Sequence, residues 1–123
     1  MMTGAMAEPT LGTRTMHEGD RVVSHRVRKF RLHYREQGGG TKSKDFGSQL
    51  VRVGSRTGND LVLADRTVSR IHLEIAADEH GYRLRDLGSS NGTVVDGYRT
   101  HDIYLRAGSR IAIGRSELRF EPL

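Results

Sequence analysis

Short runs in which every second residue is apolar recur from Val27 to Phe120, and polar or glycine-bearing turn clusters interrupt them at intervals of about 8 to 12 residues. Phe30, Leu32 and Tyr34 alternate with Arg31, His33 and Arg35, the period of a strand with one wet face. Leu50, Val51 and Val53 flank Arg52, and Leu61 and Leu63 flank Val62. In the next run Ile71, Leu73 and Ile75 are expected on one face and His72 and Glu74 on the other. Tyr82 and Leu84 alternate with Arg83 and Arg85, and Ile111, Ile113, Leu118 and Phe120 continue the pattern. Asp96-Gly97 after Val94-Val95 signals a two-residue type I′ hairpin turn. No stretch has a 3.6-residue period, so the chain reads as all-β, an antiparallel β-sandwich with a closed barrel as the alternative.

Two stretches lie outside that pattern. Residues 1–24 have no period of either kind and are expected to form a disordered tail before a domain at 25–123. Gln37 to Lys44 is glycine-rich and polar and is expected to be a flexible connection. At 123 residues the chain has room for one domain with a real core. It has no cysteine, which excludes disulfides and thiolate metal sites, and no secretory leader or apolar run of spanning length. A cytoplasmic location and no membrane partner are expected.

The net charge is +5, and 17 of the 20 basic residues are arginine. Arginine suits bidentate recognition of phosphate. Charge alone does not select nucleic acid, because no aromatic stacking platform and no recognition helix accompany it. The histidines lack zinc-site spacing, no GxSxG elbow supports a serine hydrolase, and no GxGxxG or P-loop supports nucleotide chemistry. No catalytic residue, metal or cofactor is expected.

Two loops carry the chemistry: Arg66-Thr67-Val68-Ser69-Arg70-Ile71-His72 and Leu87-Gly88-Ser89-Ser90-Asn91-Gly92-Thr93. Both are polar runs bounded by alternating strands, and the hairpin between them places them near one end of the sheet. A phosphate needs converging donors without competing acceptors. Ser69 offers a hydroxyl, Arg70 a guanidinium, and Ser90 and Asn91 a hydroxyl and an amide, with the Gly54–Asp60 turn nearby. Taken singly, Ser69 reads as a turn-capping serine and Arg56 and Arg70 as solvated surface side chains. Together the loops read as two walls of an anion pocket.

Ser69-Arg70-Ile71-His72 and Ser90-Asn91-Gly92-Thr93 resemble the SRxH and NGT motifs of the forkhead-associated (FHA) domain. Gly54 and Asn59-Asp60-Leu61-Val62-Leu63 match that family's upstream segment, and the likeness runs over about residues 27–123. The resemblance implies a SMAD-like sandwich of about eleven strands that binds phosphothreonine peptides through loops at one end, a mode general to such domains. It implies that Ser69 donates to phosphate, that Arg70 contacts phosphate or peptide, and that Ser90 and Asn91 hold the peptide backbone. His72 would brace the loops, with Gly54 and Gly92 allowing close backbone approach beside Thr93. The family's usual arginine after the first glycine is Ser55 here, and Arg56 follows one place later. The implied partner is a phosphothreonine protein in a Ser/Thr kinase pathway, with a regulator such as a bacterial enhancer-binding transcription activator as the setting. A scaffold that binds a protein independently of phosphate is the alternative that Ser55 favours, and an Arg-rich nucleic-acid binder is the third.

Overall fold

The computed structural model describes residues 28–123 together with the backbone of β1 (Thr13–Glu18) and β2 (Arg21–Arg26). These two strands pair antiparallel as a separate two-stranded sheet. The expectation of a disordered tail over 1–24 otherwise falls outside the described residues. Where strands are described, β-branched Thr13, Thr15, Val22 and Val23 favour extended backbone, a local preference that a search for periodicity passes over.

The rest is a sandwich of two sheets. One, six-stranded, has the order β10 (Tyr98–Thr100), β9 (Thr93–Val95), β12 (Arg110–Ile113), β13 (Ser116–Pro122), β3 (Phe30–Arg35), β4 (Thr41–Phe46). The other, five-stranded, has the order β11 (Asp102–Tyr104), β8 (Gly81–Asp86), β7 (Leu73–Asp78), β5 (Leu50–Gly54), β6 (Leu61–Val62). Every pairing is antiparallel except β5 with β6, which is parallel and departs from the expected pattern. Of the polar connection expected over Gln37–Lys44, the second half, from Thr41, belongs instead to the edge strand β4, paired along its length with β3 and exposed except at Phe46. Tyr98–Thr100 is a second edge strand, reached from β9 through Asp96 and Gly97, whose φ values of 50° and 88° are those of the expected I′ turn.

The core follows the alternation. Phe30, Leu32, Ile111, Ile113, Leu118 and Phe120 from the larger sheet meet Val51, Val53, Leu61, Leu73, Ile75 and Leu84 from the smaller. Phe30 packs on Phe46 and Phe120 with centroids 5.4 and 5.3 Å apart, and Tyr82 crosses from the other sheet to Phe120 at 4.9 Å. Phe30 and Tyr82 sit at the starts of β3 and β8, and Phe46 and Phe120 toward the ends of β4 and β13. The far end of β8 leads into the second candidate loop, so the aromatic cluster closes the end of the sandwich remote from it.

At the loop end, polar contacts replace apolar ones. The amides of Ser55 and Arg56 donate to the carbonyls of Ser69 and Arg70 at 3.0 and 3.2 Å, which sews the turn after β5 to the segment before β7. Gly54 lies so close to this seam that a Cβ there would overlap the Arg70 carbonyl and approach Asn59 Nδ2 to 2.9 Å. Two carboxylates fix the loops. Asp65 accepts the Thr67 amide and hydroxyl on one oxygen, and the Arg115 amide and Ser116 hydroxyl on the other. Asp86 accepts the amides of Gly88 and Ser89 on Oδ1 and the hydroxyls of Ser89 and Thr93 on Oδ2. Burial works to raise the Asp86 pKa, but the donors from Ser89, Thr93 and Gly88 outweigh it and hold the group at about 2. Asp65 is lowered in the same way, burial being outweighed by Ser116, Thr67 and Arg115.

Gly54→Ala is expected to destabilise the domain by about 1 to 3 kcal/mol, since backbone atoms cannot yield as a flexible side chain can. An unchanged urea midpoint would show that the seam opens without cost. Because the Asp86 pKa is depressed on folding, its stabilisation is present above the unfolded value near 4 and is lost as pH falls through the folded value. Stability is therefore expected to fall by about 2 kcal/mol from this group between about pH 4 and pH 2. Asp86→Asn should weaken the domain at neutral pH and flatten that acid limb. Parallel acid limbs for the two proteins would show that Asp86 does not anchor its loop.

Candidate functional site

His72 links the two loops. Its side chain is fully buried, whereas Ile71, expected on the same face as Leu73 and Ile75, is 41% exposed. The Ser69 amide donates to Nδ1 at 3.1 Å, and an amide nitrogen can only donate, so Nδ1 carries the lone pair. Nε2 therefore holds the proton and donates to the Gly92 carbonyl at 2.9 Å. Both ring nitrogens are thus committed to backbone. Neither bonds to the Ser69 hydroxyl, so Ser69 and His72 do not form a nucleophile and base pair.

The Ser69 hydroxyl instead accepts the Ser90 amide at 3.0 Å, which leaves its own proton free to donate outward. Asn91 Nδ2 donates to the Thr67 carbonyl at 2.8 Å, a second tie between the loops. Asn59 Nδ2 bridges the carbonyls of Arg56 and Arg70, each at 2.7 Å. Gly92 has φ 84°, which gives the position a conformational need for glycine, while the Arg99 guanidinium beside it is the end of a flexible side chain that can move aside. Thr93 is buried with its hydroxyl on Asp86.

Ser55, Arg56, Ser69, Arg70 and Ser90 line one open surface groove. Five of the six residues expected to meet a ligand are thereby brought together. Asn91 is exposed at its margin, tied to Thr67 and outside the lining. Arg66, Val68 and Ile71 complete the walls and were not singled out from sequence, because an arginine or isoleucine between turn residues carries no period. A signal did exist for the anchors. Asp65-Arg66-Thr67 and Asp86-Leu87-Gly88-Ser89 have the Asp-to-amide spacing of Asx turns. No carboxylate lines the groove, so hydroxyl and guanidinium donors face outward with no competing acceptor.

A family model described as the inner membrane component of T3SS, cytoplasmic domain, matches residues 39–123. Among solved structures, one from work on phosphothreonine-dependent FHA domain interactions is 30% identical with a TM-score of 0.67, covering 76% of this chain and 95% of that one. The FhaA FHA domain complexed with the intracellular domain of Rv3910 is also 30% identical, with a TM-score of 0.65 and coverage of 75% and 99%. The oxoglutarate dehydrogenase inhibitor of Corynebacterium efficiens is 37% identical over 68 residues, 55% of this chain and 48% of that protein. The chain spans half or less of the length of the curated relatives it matches. With its two-sheet sandwich and its SRxH and NGT loops joined through a buried histidine, this chain belongs to the forkhead-associated (FHA) domain family.

Proposed function

We propose that this domain, residues 25–123, binds phosphothreonine peptides and so reads out a Ser/Thr kinase for a regulator. The observation that carries the reading is the Ser69 hydroxyl, fixed by the Ser90 amide with its proton free, in a groove with two flanking arginines and no carboxylate. Ser69 donates to the phosphate, Arg56 and Arg70 neutralise it, and Ser55 and Ser90 add hydroxyls. Asn91 holds the peptide backbone through the part of its amide not committed to Thr67. The relatives support the same reading: one is an FHA domain of phosphothreonine-dependent interactions and another is an enzyme inhibitor. The domain acts by binding and carries no catalytic residue. No described helix is long and apolar enough to cross a membrane, and the cytoplasm, where such kinases act, is the proposed setting.

Ser55 stands where the family's arginine usually follows the first glycine, and this favours a second reading, a partner surface independent of phosphate. Titration calorimetry of four proteins with one phosphothreonine peptide and its unphosphorylated twin separates the two. Arg56→Ala and Ser69→Ala are each expected to cost about 1.5 to 3 kcal/mol of binding through loss of a charge-assisted contact. Ser55→Arg should strengthen binding. If wild type does not distinguish the two peptides while Ser55→Arg does, the phosphate-independent reading holds instead.

His72 is assigned to architecture. His72→Ala leaves the Ser69 amide and Gly92 carbonyl without their partner, so the melting temperature should drop by the equivalent of about 1 to 3 kcal/mol. Peptide affinity, measured well below the melt, should change less. Unchanged stability with abolished binding would make His72 a ligand.

A further inference from the structure

We propose that the groove takes a peptide carrying a second anionic group that flanks the phosphothreonine, with Arg66 as its receptor. This rests on the phosphothreonine reading and extends it to the class of ligand.

The inference comes from how charge is sorted at this end of the sandwich. Arg56, Arg66 and Arg70 are all exposed, all line the groove, and none pairs with a described carboxylate. The nearby acids lie outside the lining. Asp65, the neighbour of Arg66 in sequence, is buried and receives donors from Thr67, Arg115 and Ser116. Asp86 receives Gly88, Ser89 and Thr93, and Glu36 receives Lys42 and the Ala64 amide. The three guanidinium groups therefore share a lining that contains no carboxylate.

One phosphate carries about −1.5 to −2 charges at neutral pH, and the groove presents three guanidinium groups to it with no carboxylate in the lining, so a second anion also meets a basic wall. The three arginines also fall into two groups. Arg56 and Arg70 are joined directly, the Arg56 amide donating to the Arg70 carbonyl at 3.2 Å, so both flank Ser69 from one seam. Arg66 sits apart on the corner of the Asp65–Val68 turn, which the Val68 amide closes on the Asp65 carbonyl at 3.1 Å. That turn is held rigid by the Asp65 carboxylate. A guanidinium presented on a braced turn, on the far side of Ser69 in sequence from Arg70, is preorganised for an anion other than the phosphate that Ser69 meets.

The test uses fluorescence anisotropy with four peptides on one backbone. One is unphosphorylated, one has phosphothreonine between alanines, one has phosphothreonine with flanking aspartates, and one has phosphothreonine with flanking phosphoserines. Wild type is expected to bind at least one doubly anionic peptide about tenfold more tightly than the alanine-flanked one, a preference that shrinks as salt rises from about 50 to about 200 mM. Preference for both anionic peptides identifies an acidic ligand of either source, and preference for the phosphoserine peptide alone identifies a doubly phosphorylated one. Arg66→Gln should cut the preference to about threefold or less, and Arg66→Lys, which keeps the charge, should retain part of it. Thermal melts establish that both variants are folded. Equal binding of all phosphothreonine peptides by wild type overturns the inference, as does an Arg66→Gln protein that weakens every peptide by the same factor. If the alanine-flanked phosphothreonine peptide binds no better than its unphosphorylated twin, the phosphothreonine reading itself fails and this inference falls with it.

Discussion

The site depends on one imidazole. His72 belongs to the five-stranded sheet by its backbone, where its amide donates to the Val53 carbonyl at 2.9 Å and its carbonyl accepts the Leu87 amide at 2.9 Å. Its ring then fastens the Ser69 and Gly92 loops to each other. A ring with one acceptor and one donor nitrogen, some distance apart, can satisfy an amide of one loop and a carbonyl of the other at the same time. No acid, amide or hydroxyl side chain spans that separation with the same rigidity. Because the ring is wholly buried, each bond is unscreened and either partner left unpaired would cost about 1 to 3 kcal/mol. The positions of Ser69 and Ser90 therefore follow from the sheet and not from the loops' own preferences.

The sandwich was legible in the chain wherever a strand has one face on the core. Phe30, Leu32, Ile111, Ile113, Leu118 and Phe120 alternate because the pleat sends every second side chain inward. Thr41–Phe46 was not legible, because an edge strand exposed on both faces has no reason to alternate. Its pairing rests instead on backbone bonds and on cross-strand contacts such as the Arg31 guanidinium on Asp45. Glu74 shows the converse. It reads as solvent-facing, yet it is 8% exposed because Arg52 and Arg85 from the strands on either side close over it.

Within the site, Ser55, Arg56, Ser69, Arg70 and Ser90 of the groove lining stood out in sequence because polar runs between alternating strands mark loops. The braces stood out only in part. Asp65 and Asp86 have the local spacing of Asx turns to Thr67, Gly88 and Ser89, but Asn59 reaches the Arg70 carbonyl, and the pairing of Asp65 with Arg115 and Ser116 is made only when the β12 to β13 turn arrives beneath Thr67. Such contacts are tertiary, and no local spacing announces them.

The same bracing explains why this end of the molecule is basic on its surface. Tight loops present many backbone amides that cannot join a ladder, and each needs an acceptor if it is to be withdrawn from water. A carboxylate is acceptor only and can take several such donors, whereas a guanidinium is donor only and can take none. Folding the loops thus draws Asp65 and Asp86 inward and leaves the guanidinium groups of Arg56, Arg66 and Arg70 at the surface. The depressed Asp86 pKa is the electrostatic trace of that sorting, since a carboxylate surrounded by donors is held charged where burial alone would favour its neutral form. The arginines remain at the rim with their donors unspent. A basic groove here is a consequence of how polar loops are made rigid, with the carboxylates held beneath the loops and the guanidinium groups left along the lining.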